Sequence, residues 1–277
     1  MDDYRLSVFR RAARCRSFEQ YVFNGIKKGM FKFPIYLSAG QEYISASIAE
    51  VLSRKQILPN VFIQHRGHST YLSFEAPIEK LIDELLGRKS GCANGMGGSA
   101  SIHSVEKNIF GHDGLMGSQV PISVGHCYST KHPTVVFMGD ASAEEDYVLG
   151  ALGWAATKKL PILFVVEDNN LSILTEKKVR RSWDLSTVAR AFGLKSYDLD
   201  DDPDEVKSAM EDAFKHPTLL NIRTHRKFWH SGAGIDDENT FDRYLQEKNK
   251  LGAPARIIDQ KAQEEVQKAW QTQLEKR

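Results

Sequence analysis

The chain of 277 residues has few features of a secreted or membrane protein. Its only cysteines are Cys15, Cys92 and Cys127, an odd number without the spacing of a disulfide framework. No run approaches the roughly 18 consecutive apolar residues of a membrane-spanning helix. The acidic N-terminus also lacks the apolar core and cleavage site of a secretory signal. We therefore expect a soluble, cytoplasmic protein with free thiols.

Positive and negative charges nearly balance: the chain has 37 basic and 36 acidic residues, and its formal net charge is +1. This balance gives no electrostatic footprint for nucleic acid or for an anionic membrane surface. Hydrophobic residues make up 41% of the chain, enough for a substantial core. No linker, internal repeat or low-complexity tract divides the sequence. We expect residues 1–277 to form a single domain with helical extensions at both ends.

The second half of the chain alternates between strand and helix patterns. Short apolar runs at 134–138, 162–166 and 218–222 predict buried strands. Strands that alternate with helices pair in parallel through right-handed crossovers. The prediction is an α/β fold of three layers, a mostly parallel sheet with helices on both faces. Helices are predicted at 2–29, after Gly40, at 77–87, after Pro121, and at 144–158, 184–192, 203–215 and 240–276.

A long loop, residues 88–119, is rich in glycine and serine and has no sustained period. Loops of this length inside a compact domain are usually functional or disordered. The scattered apolar residues Ile102, Ile109 and Phe110 favour an ordered and partly buried loop.

The most informative residues follow two consecutive predicted strands. Asp140 ends one strand, within Gly139-Asp140-Ala141, and Asn169 ends the next. Ligands of an open parallel sheet lie beyond the carboxyl ends of its strands, so both side chains can reach one point. Carboxylate and amide oxygens suit Mg²⁺, which leaves positions for phosphate oxygens. The alternative is that Asp140 caps a helix and that Asn169 and Asn170 form a turn.

Six segments carry short motifs in a fixed order, at 37–42 (LSAGQE), 65–68 (HRGH), 95–99 (GMGGS), 114–121 (GLMGSQVP), 139–141 (GDA) and 165–170 (VVEDNN). Together they resemble the alpha subunit of the thiamine diphosphate-dependent decarboxylating component of 2-oxo-acid dehydrogenase complexes, of the pyruvate, branched-chain 2-oxo acid or acetoin type. The resemblance covers nearly the whole chain and implies the thiamine diphosphate-binding fold.

This resemblance also implies a cofactor site with particular ligands. Mg²⁺ would be coordinated by Asp140, Asn169 and the backbone carbonyl of Leu171, together with the diphosphate. Arg66 would hold a diphosphate oxygen, a role that suits a charged fork of donors. The implied cofactor-binding residues are His65, Arg66, Gly114, Met116, Gly139, Asp140, Ala141, Ser142 and Asn169.

Two histidines are implied as catalytic residues near the diphosphate and the substrate carboxylate. They are His68, in the second motif, and His230, in the segment 224–231. The residues alone leave open that either is an ordinary core or surface histidine, because histidine serves many roles.

The family reaction is the decarboxylation of a 2-oxo acid, with transfer of the acyl or aldehyde unit to a lipoyl arm or another acceptor. In this family the glutamate that activates the aminopyrimidine ring lies on the beta subunit. The resemblance therefore implies a heterotetramer of two alpha and two beta chains, with a lipoyl-bearing acyltransferase as a further partner. Two alternatives stay open: half of another split enzyme with transketolase-like two-carbon transfer, or a non-catalytic partner that retains the fold.

Several residues depart from the family pattern. Ala141 replaces a glycine, which is tolerable unless the backbone needs a positive φ. Glu144 and Glu145 replace an amide-rich pair, His65 replaces a tyrosine, and Met96 replaces a lysine. These departures indicate a side branch of the family and weaken any transfer of substrate identity.

Other signals are weaker. Residues 95–100 match a dinucleotide-binding fingerprint, but that fingerprint needs a strand directly before it. Cys92, His103 and His112 lack the close-pair spacing of a zinc site. The basic run at 177–181 (KKVRR) favours a solvated face, with a loop beside the active site or a docking surface as the alternative.

Overall fold

A parallel β-sheet lies at the centre of the computed structural model, which describes residues 3–276. The six strands of the sheet are β1 (Asn60–Phe62), β2 (Ile109–Phe110), β3 (Thr134–Gly139), β4 (Ile162–Asp168), β7 (Lys195–Asp200) and β8 (Thr218–Arg223). Their order is β2-β1-β3-β4-β8-β7, and every neighbouring pair is parallel. Two small antiparallel hairpins are formed by β5 (Leu171–Ser172) with β6 (Thr175–Glu176) and by β9 (Trp229–His230) with β10 (Gly234–Ile235).

The helices within residues 3–276 cover both faces of this sheet. None of them is long and apolar enough to cross a membrane. Their bounds are α1 (Asp3–Lys27), α2 (Glu42–Arg54), α3 (His68–Ser73), α4 (Ile78–Leu85), α5 (Gln119–Thr130), α6 (Asp146–Thr157), α7 (Lys177–Arg180), α8 (Leu185–Phe192), α9 (Pro203–Ala209), α10 (Arg243–Leu251) and α11 (Ala253–Glu275).

Two apolar cores result from the alternation of side chains along the strands. In β3, Val135 and Phe137 pack into the core formed with α1, α2, α4 and α11. The neighbouring residues Val136 and Met138 face the other side, where α5, α6 and α8 cover the sheet. The predicted three-layer α/β fold with a mostly parallel sheet is confirmed.

The predicted helices are present, with different ends. The first was predicted from residue 2, which lies outside the described residues, and α1 ends at Lys27. The helix predicted at 144–158 begins only at Asp146, because Ser142–Glu144 form a 3-10 turn. The C-terminal helix is interrupted at Gly252, whose φ of +67° ends α10 before α11 begins.

The short elements missed in the sequence are the sheet strands β1, β2 and β7, the hairpin strands β5, β6, β9 and β10, and the helices α3 and α7. They have two to six residues, too few for a clear period, and the edge strand β7 is only partly buried. The long loop 88–119 is ordered as predicted, since Ile102 and Ile109 are buried and β2 lies within it.

Candidate functional site

A cavity of about 430 Å³ opens at the carboxyl edge of the sheet. Its walls include residues that follow the four strands β1, β3, β4 and β8, and those after β8 belong to the hairpin strand β9 and its neighbours. These four strands are neighbours in the order β1-β3-β4-β8, so their carboxyl ends meet at this edge. The cavity brings together eleven of the twelve predicted site residues: His65, Arg66, Gly114, Met116, Gly139, Asp140, Ala141, Ser142, Asn169, Leu171 and His230.

Asp140 lies directly after β3 and is only 1% exposed. Burial, with a contribution from the nearby Asp168 carboxylate, raises the pKa of Asp140 to about 6. Its carboxylate accepts a hydrogen bond from Arg180. The helix-capping alternative is wrong for α6, whose N-cap is Glu145. The methyl group of Ala141 is tolerated because its φ is −71°.

Asn169 is held in one orientation by two hydrogen bonds. Its Nδ2 donates to Oε1 of Gln41 at 2.9 Å, and its Oδ1 accepts the N–H of Leu171 at 3.0 Å. Because only Nδ2 can donate, the oxygen of the amide is identified by its contacts. Gln41 belongs to the first motif, and its side chain explains why that segment packs beside the end of β4.

Arg66 is a buried cation without a carboxylate partner within residues 3–276. Its guanidinium donates to the carbonyl of Leu37 at 2.7 Å and to Nδ1 of His230 at 2.7 Å. Burial, followed by repulsion from Arg226, lowers the pKa of Arg66 to about 10. An unpaired buried charge is unfavourable, so this side of the cavity is suited to an anion such as a phosphate group.

His230 lies beside Arg66 as an uncharged ring. Arginine can only donate, so Nδ1 of His230 accepts and its proton lies on Nε2. Burial, with the neighbouring Arg66 and Arg226, lowers the pKa of His230 to about 3. Burial also holds the pKa of His65 well below its usual range and lowers that of His112. At neutral pH the cavity therefore presents neutral imidazoles beside cationic guanidinium groups.

His68 is the one predicted site residue that does not line the cavity. It is fully buried, with Nδ1 donating to Glu19 Oε1 at 3.0 Å and Nε2 accepting from Ser99 Oγ at 2.9 Å. The same Ser99 oxygen accepts the backbone N–H of Tyr36, a cavity residue, at 3.0 Å. Both ring nitrogens are engaged by the chain itself, and the hydrogen bonds of Ser99 connect the ring to Tyr36 at the cavity wall.

The glycine-rich segment 93–98 folds around a carboxylate of the same chain. Glu84, fully buried at the end of α4, accepts four backbone N–H groups at 2.6–3.1 Å, those of Ala93, Gly95, Gly97 and Gly98. A Cβ at Gly97 would lie 2.3 Å from the carbonyl oxygen of Ser101, so the turn requires glycine there. Turns, not a strand, precede this segment, which excludes the dinucleotide alternative.

Replacing Glu84 by glutamine should lower the free energy of unfolding by about 2–4 kcal/mol. The amide retains one acceptor oxygen but turns an N–H₂ group toward backbone donors, leaving buried groups unpaired. Urea denaturation of the two proteins measures the difference. Glu79→Gln, an exposed change on the same helix, is the control and should stay within about 0.5 kcal/mol. Equal stability of Glu84→Gln and its parent would show that the carboxylate does not organise the loop.

Several cavity residues were not found from the sequence. Arg226 pairs with Asp236 through a 2.7 Å hydrogen bond, and it lies only four residues before His230 in the segment 224–231. Gln64 donates from Nε2 to the buried Glu167, whose pKa is raised to about 7 by burial. The only signal in the sequence was that these residues lie beside a motif. Polar residues beside a motif are too common for this position alone to identify them as cavity residues.

The basic run 177–181 does not form a uniformly solvated face. The side chains of Arg180 and Arg181 are 12% and 4% exposed, whereas that of Lys178 is 78% exposed. Arg180 contacts Asp140 and Glu144, and Lys177 pairs with Asp168. The prediction of a solvated face is wrong for the two arginines, because the carboxylates of Asp140 and Glu144, which follow β3, draw them inward.

The family model described as "Dehydrogenase E1 component" matches residues 10–276. Similar curated proteins are named pyruvate dehydrogenase E1 component subunit alpha. That of Zymomonas mobilis is 29% identical over 82% of this chain and 67% of its own length. That of Rhizobium meliloti is 26% identical, covering 98% of this chain and 79% of its own. That of Porphyra purpurea is 30% identical, covering 80% and 70%.

Solved structures of the same fold include two transketolases. The enzyme from Campylobacter jejuni has a TM-score of 0.60 and 18% identity, covering all of this chain and 49% of its own. The enzyme from Leishmania mexicana has a TM-score of 0.63 and 15% identity, covering 97% and 46%. This chain thus spans about half the length of the transketolases that it matches, and the likeness concerns the fold.

Proposed function

The chain belongs to the dehydrogenase E1 component family, and on this premise we propose that it is the alpha subunit of a two-subunit thiamine diphosphate-dependent enzyme. The enzyme would decarboxylate a 2-oxo acid and pass the acyl or aldehyde unit to an acceptor. The observation that supports this best is the joint placement of Asp140, Asn169 and Arg66 in one cavity. The names of the curated relatives favour this reaction over two-carbon transfer between sugars.

The residues of the cavity fit a diphosphate and its metal ion. Asp140, Asn169 and the carbonyl of Leu171 supply the hard oxygen donors that Mg²⁺ prefers. Arg66 is buried with a full charge and only neutral partners, an arrangement that a diphosphate oxygen would complete. The small residues Gly139 and Ala141 leave space beside the backbone for a phosphate group. We propose these residues as the cofactor and metal ligands.

Thiamine diphosphate, when bound, supplies the nucleophilic carbon that decarboxylation of a 2-oxo acid requires. The protein then has to bind and orient the cofactor and the substrate and to exclude water from the cavity. Gly114 and Met116 would line the aminopyrimidine, and His65 would lie at the cavity wall beside Arg66. The Nε2–H of neutral His230 is a donor suited to a substrate carboxylate. Ser142, buried after Ala141, would contribute to the diphosphate side of the cavity.

We also propose that the active enzyme is a heterotetramer with a beta subunit, since the glutamate that activates the cofactor lies on that subunit in the family. Exposed apolar side chains on α5, α6 and the preceding loop support a partner surface. Tyr128 on α5 and Trp154 on α6 are both exposed, and their ring centroids lie 4.8 Å apart. The other exposed apolar residues of this region include Leu115 and Ile122. A lipoyl-bearing acyltransferase is the proposed acceptor.

We propose one cofactor-binding domain in this chain, because the residues that line a single cavity are spread from residue 36 to residue 231. The three cysteines are free, which supports a reducing compartment, and we propose the cytoplasm.

An assay of the chain with and without its partner tests the proposed function. The chain purified alone should release no carbon dioxide from 2-oxo acids, whereas the complex isolated from its own cells should do so with thiamine diphosphate and Mg²⁺. A ketose phosphate is the comparison substrate and should give no product. Robust decarboxylation by the chain alone would contradict the two-subunit proposal, and turnover of the ketose phosphate only would favour two-carbon transfer.

A further inference from the structure

The carboxylate expected to bind Mg²⁺ is already paired with an arginine of the same chain. Arg180 contacts the Asp140 carboxylate through Nη2 and lies at the end of the short helix α7. No motif of the family pointed to this residue. A guanidinium and a divalent cation at the same carboxylate repel each other, so each weakens the binding of the other to Asp140.

Arg180 has a second acidic partner beside the first. Its Nη2 lies 3.1 Å from Oε1 of Glu144, and its Nε donates to the same carboxylate at 3.2 Å. Glu144 is one of the two residues that depart from the amide-rich pair of the family. Its carboxylate contacts two nitrogens of the guanidinium, Nε and Nη2, and Glu144 does not line the cavity. Arg180 can therefore leave Asp140 and keep an ion pair with Glu144.

The surrounding contacts tie this exchange to the whole 171–183 segment. Arg180 Nη1 donates to the carbonyl of Thr175 at 2.5 Å, in the β5–β6 hairpin that begins at Leu171. Arg181 lies 3.6 Å from Glu144, and its guanidinium carbon is 4.6 Å from the ring centre of Trp183. Movement of Arg180 would thus alter the surroundings of a tryptophan.

We propose that Arg180 is a positioning residue that neutralises Asp140 before the metal ion binds and transfers to Glu144 when Mg²⁺ arrives. This inference rests on the proposed function. In this proposal Arg180 competes with the cation for Asp140. Glu144 favours the release of Arg180 from Asp140, because it offers the arginine a second carboxylate. The balance between the two carboxylates then sets the Mg²⁺ concentration that the enzyme needs.

Titration of Mg²⁺ into the assembled alpha–beta enzyme, at saturating thiamine diphosphate, tests the proposal. Binding is followed by calorimetry and by tryptophan fluorescence, with Trp183→Phe showing which part of the signal comes from this segment. Arg180→Gln should lower the Mg²⁺ midpoint about tenfold, because the competitor is gone. Glu144→Gln should raise it severalfold, because the displaced arginine loses its partner. Arg180→Lys, which retains the charge, should stay closer to the parent.

Lys178→Gln is the matched control, since it removes the same charge from an exposed position of the same helix and should leave the midpoint unchanged. An unchanged or raised midpoint in Arg180→Gln would overturn the proposal, as would a fall in both Arg180→Gln and Glu144→Gln, which would indicate general loosening. Thermal unfolding of each variant checks that it is folded. If the parent enzyme itself bound no Mg²⁺ with the cofactor, the proposed function would fail instead.

Discussion

Replacing Asp140 by asparagine should weaken the binding of thiamine diphosphate, in the presence of Mg²⁺, by about 100-fold or more. Removal of a group that merely orients a metal ligand typically costs 10- to 100-fold in metal affinity, and Asp140 is proposed as a ligand itself. Asparagine has nearly the same shape, so the change removes charge and leaves the end of β3 filled. Calorimetric titration of the assembled enzyme with the cofactor measures the loss.

The control for this variant is Asp146→Asn, an exposed change in the first turn of α6, just beyond the cavity. It should bind the cofactor like the parent enzyme. Comparable cofactor affinities for Asp140→Asn and the parent would remove Asp140 from the metal site. They would also remove the basis for the competition with Arg180, since that competition requires the cation to bind the same carboxylate.

Replacing Arg66 by methionine should weaken cofactor binding roughly 10- to 100-fold, the equivalent of one hydrogen bond to a charged group. The expected effect on the cofactor-free enzyme is different. Arg66 is a buried charge without a carboxylate partner within residues 3–276, so its removal relieves a desolvation penalty that offsets the two lost hydrogen bonds. Unfolding of the cofactor-free variant should therefore occur at nearly the parent temperature.

Arg226 provides the contrast, because it is equally buried but paired with Asp236, whose side chain is only 7% exposed. Arg226→Met should destabilise the protein by about 3–5 kcal/mol, since it leaves Asp236 as an uncompensated charge. Cofactor titration and thermal unfolding of both variants separate the two roles. If Arg66→Met lost stability like Arg226→Met and bound the cofactor normally, Arg66 would be a structural residue, and the diphosphate would lie elsewhere.

The parallel sheet made the centre of the site predictable from the sequence. Asp140 and Asn169 follow two strands that turn out to be neighbours, and strand ends at one edge of a sheet must converge. Arg66 and His230 were less accessible to this reasoning, because β1 has three residues and β9 has two. Only the resemblance to a family pointed to them, and both line the cavity.

Three residues make contacts that no local pattern of the sequence specifies. The ring of His68 is held by hydrogen bonds with Glu19 and Ser99, which are 49 and 31 residues away along the chain. In the sequence, Glu84 is only a polar position of an amphipathic helix. Its function becomes visible in the structure, where the following loop folds back onto its carboxylate. Arg180 belongs to a run of charges of the kind that is usually solvated, and only the position of Asp140 and Glu144 in the fold draws it inward.

Native mass spectrometry of the tagged chain, isolated from its own cell extract, tests whether this chain is one half of a two-subunit thiamine diphosphate enzyme. We expect an equimolar complex with a second chain of similar size, two copies of each, that carries thiamine diphosphate and Mg²⁺. A chain that associates only with itself and carries no cofactor would contradict it.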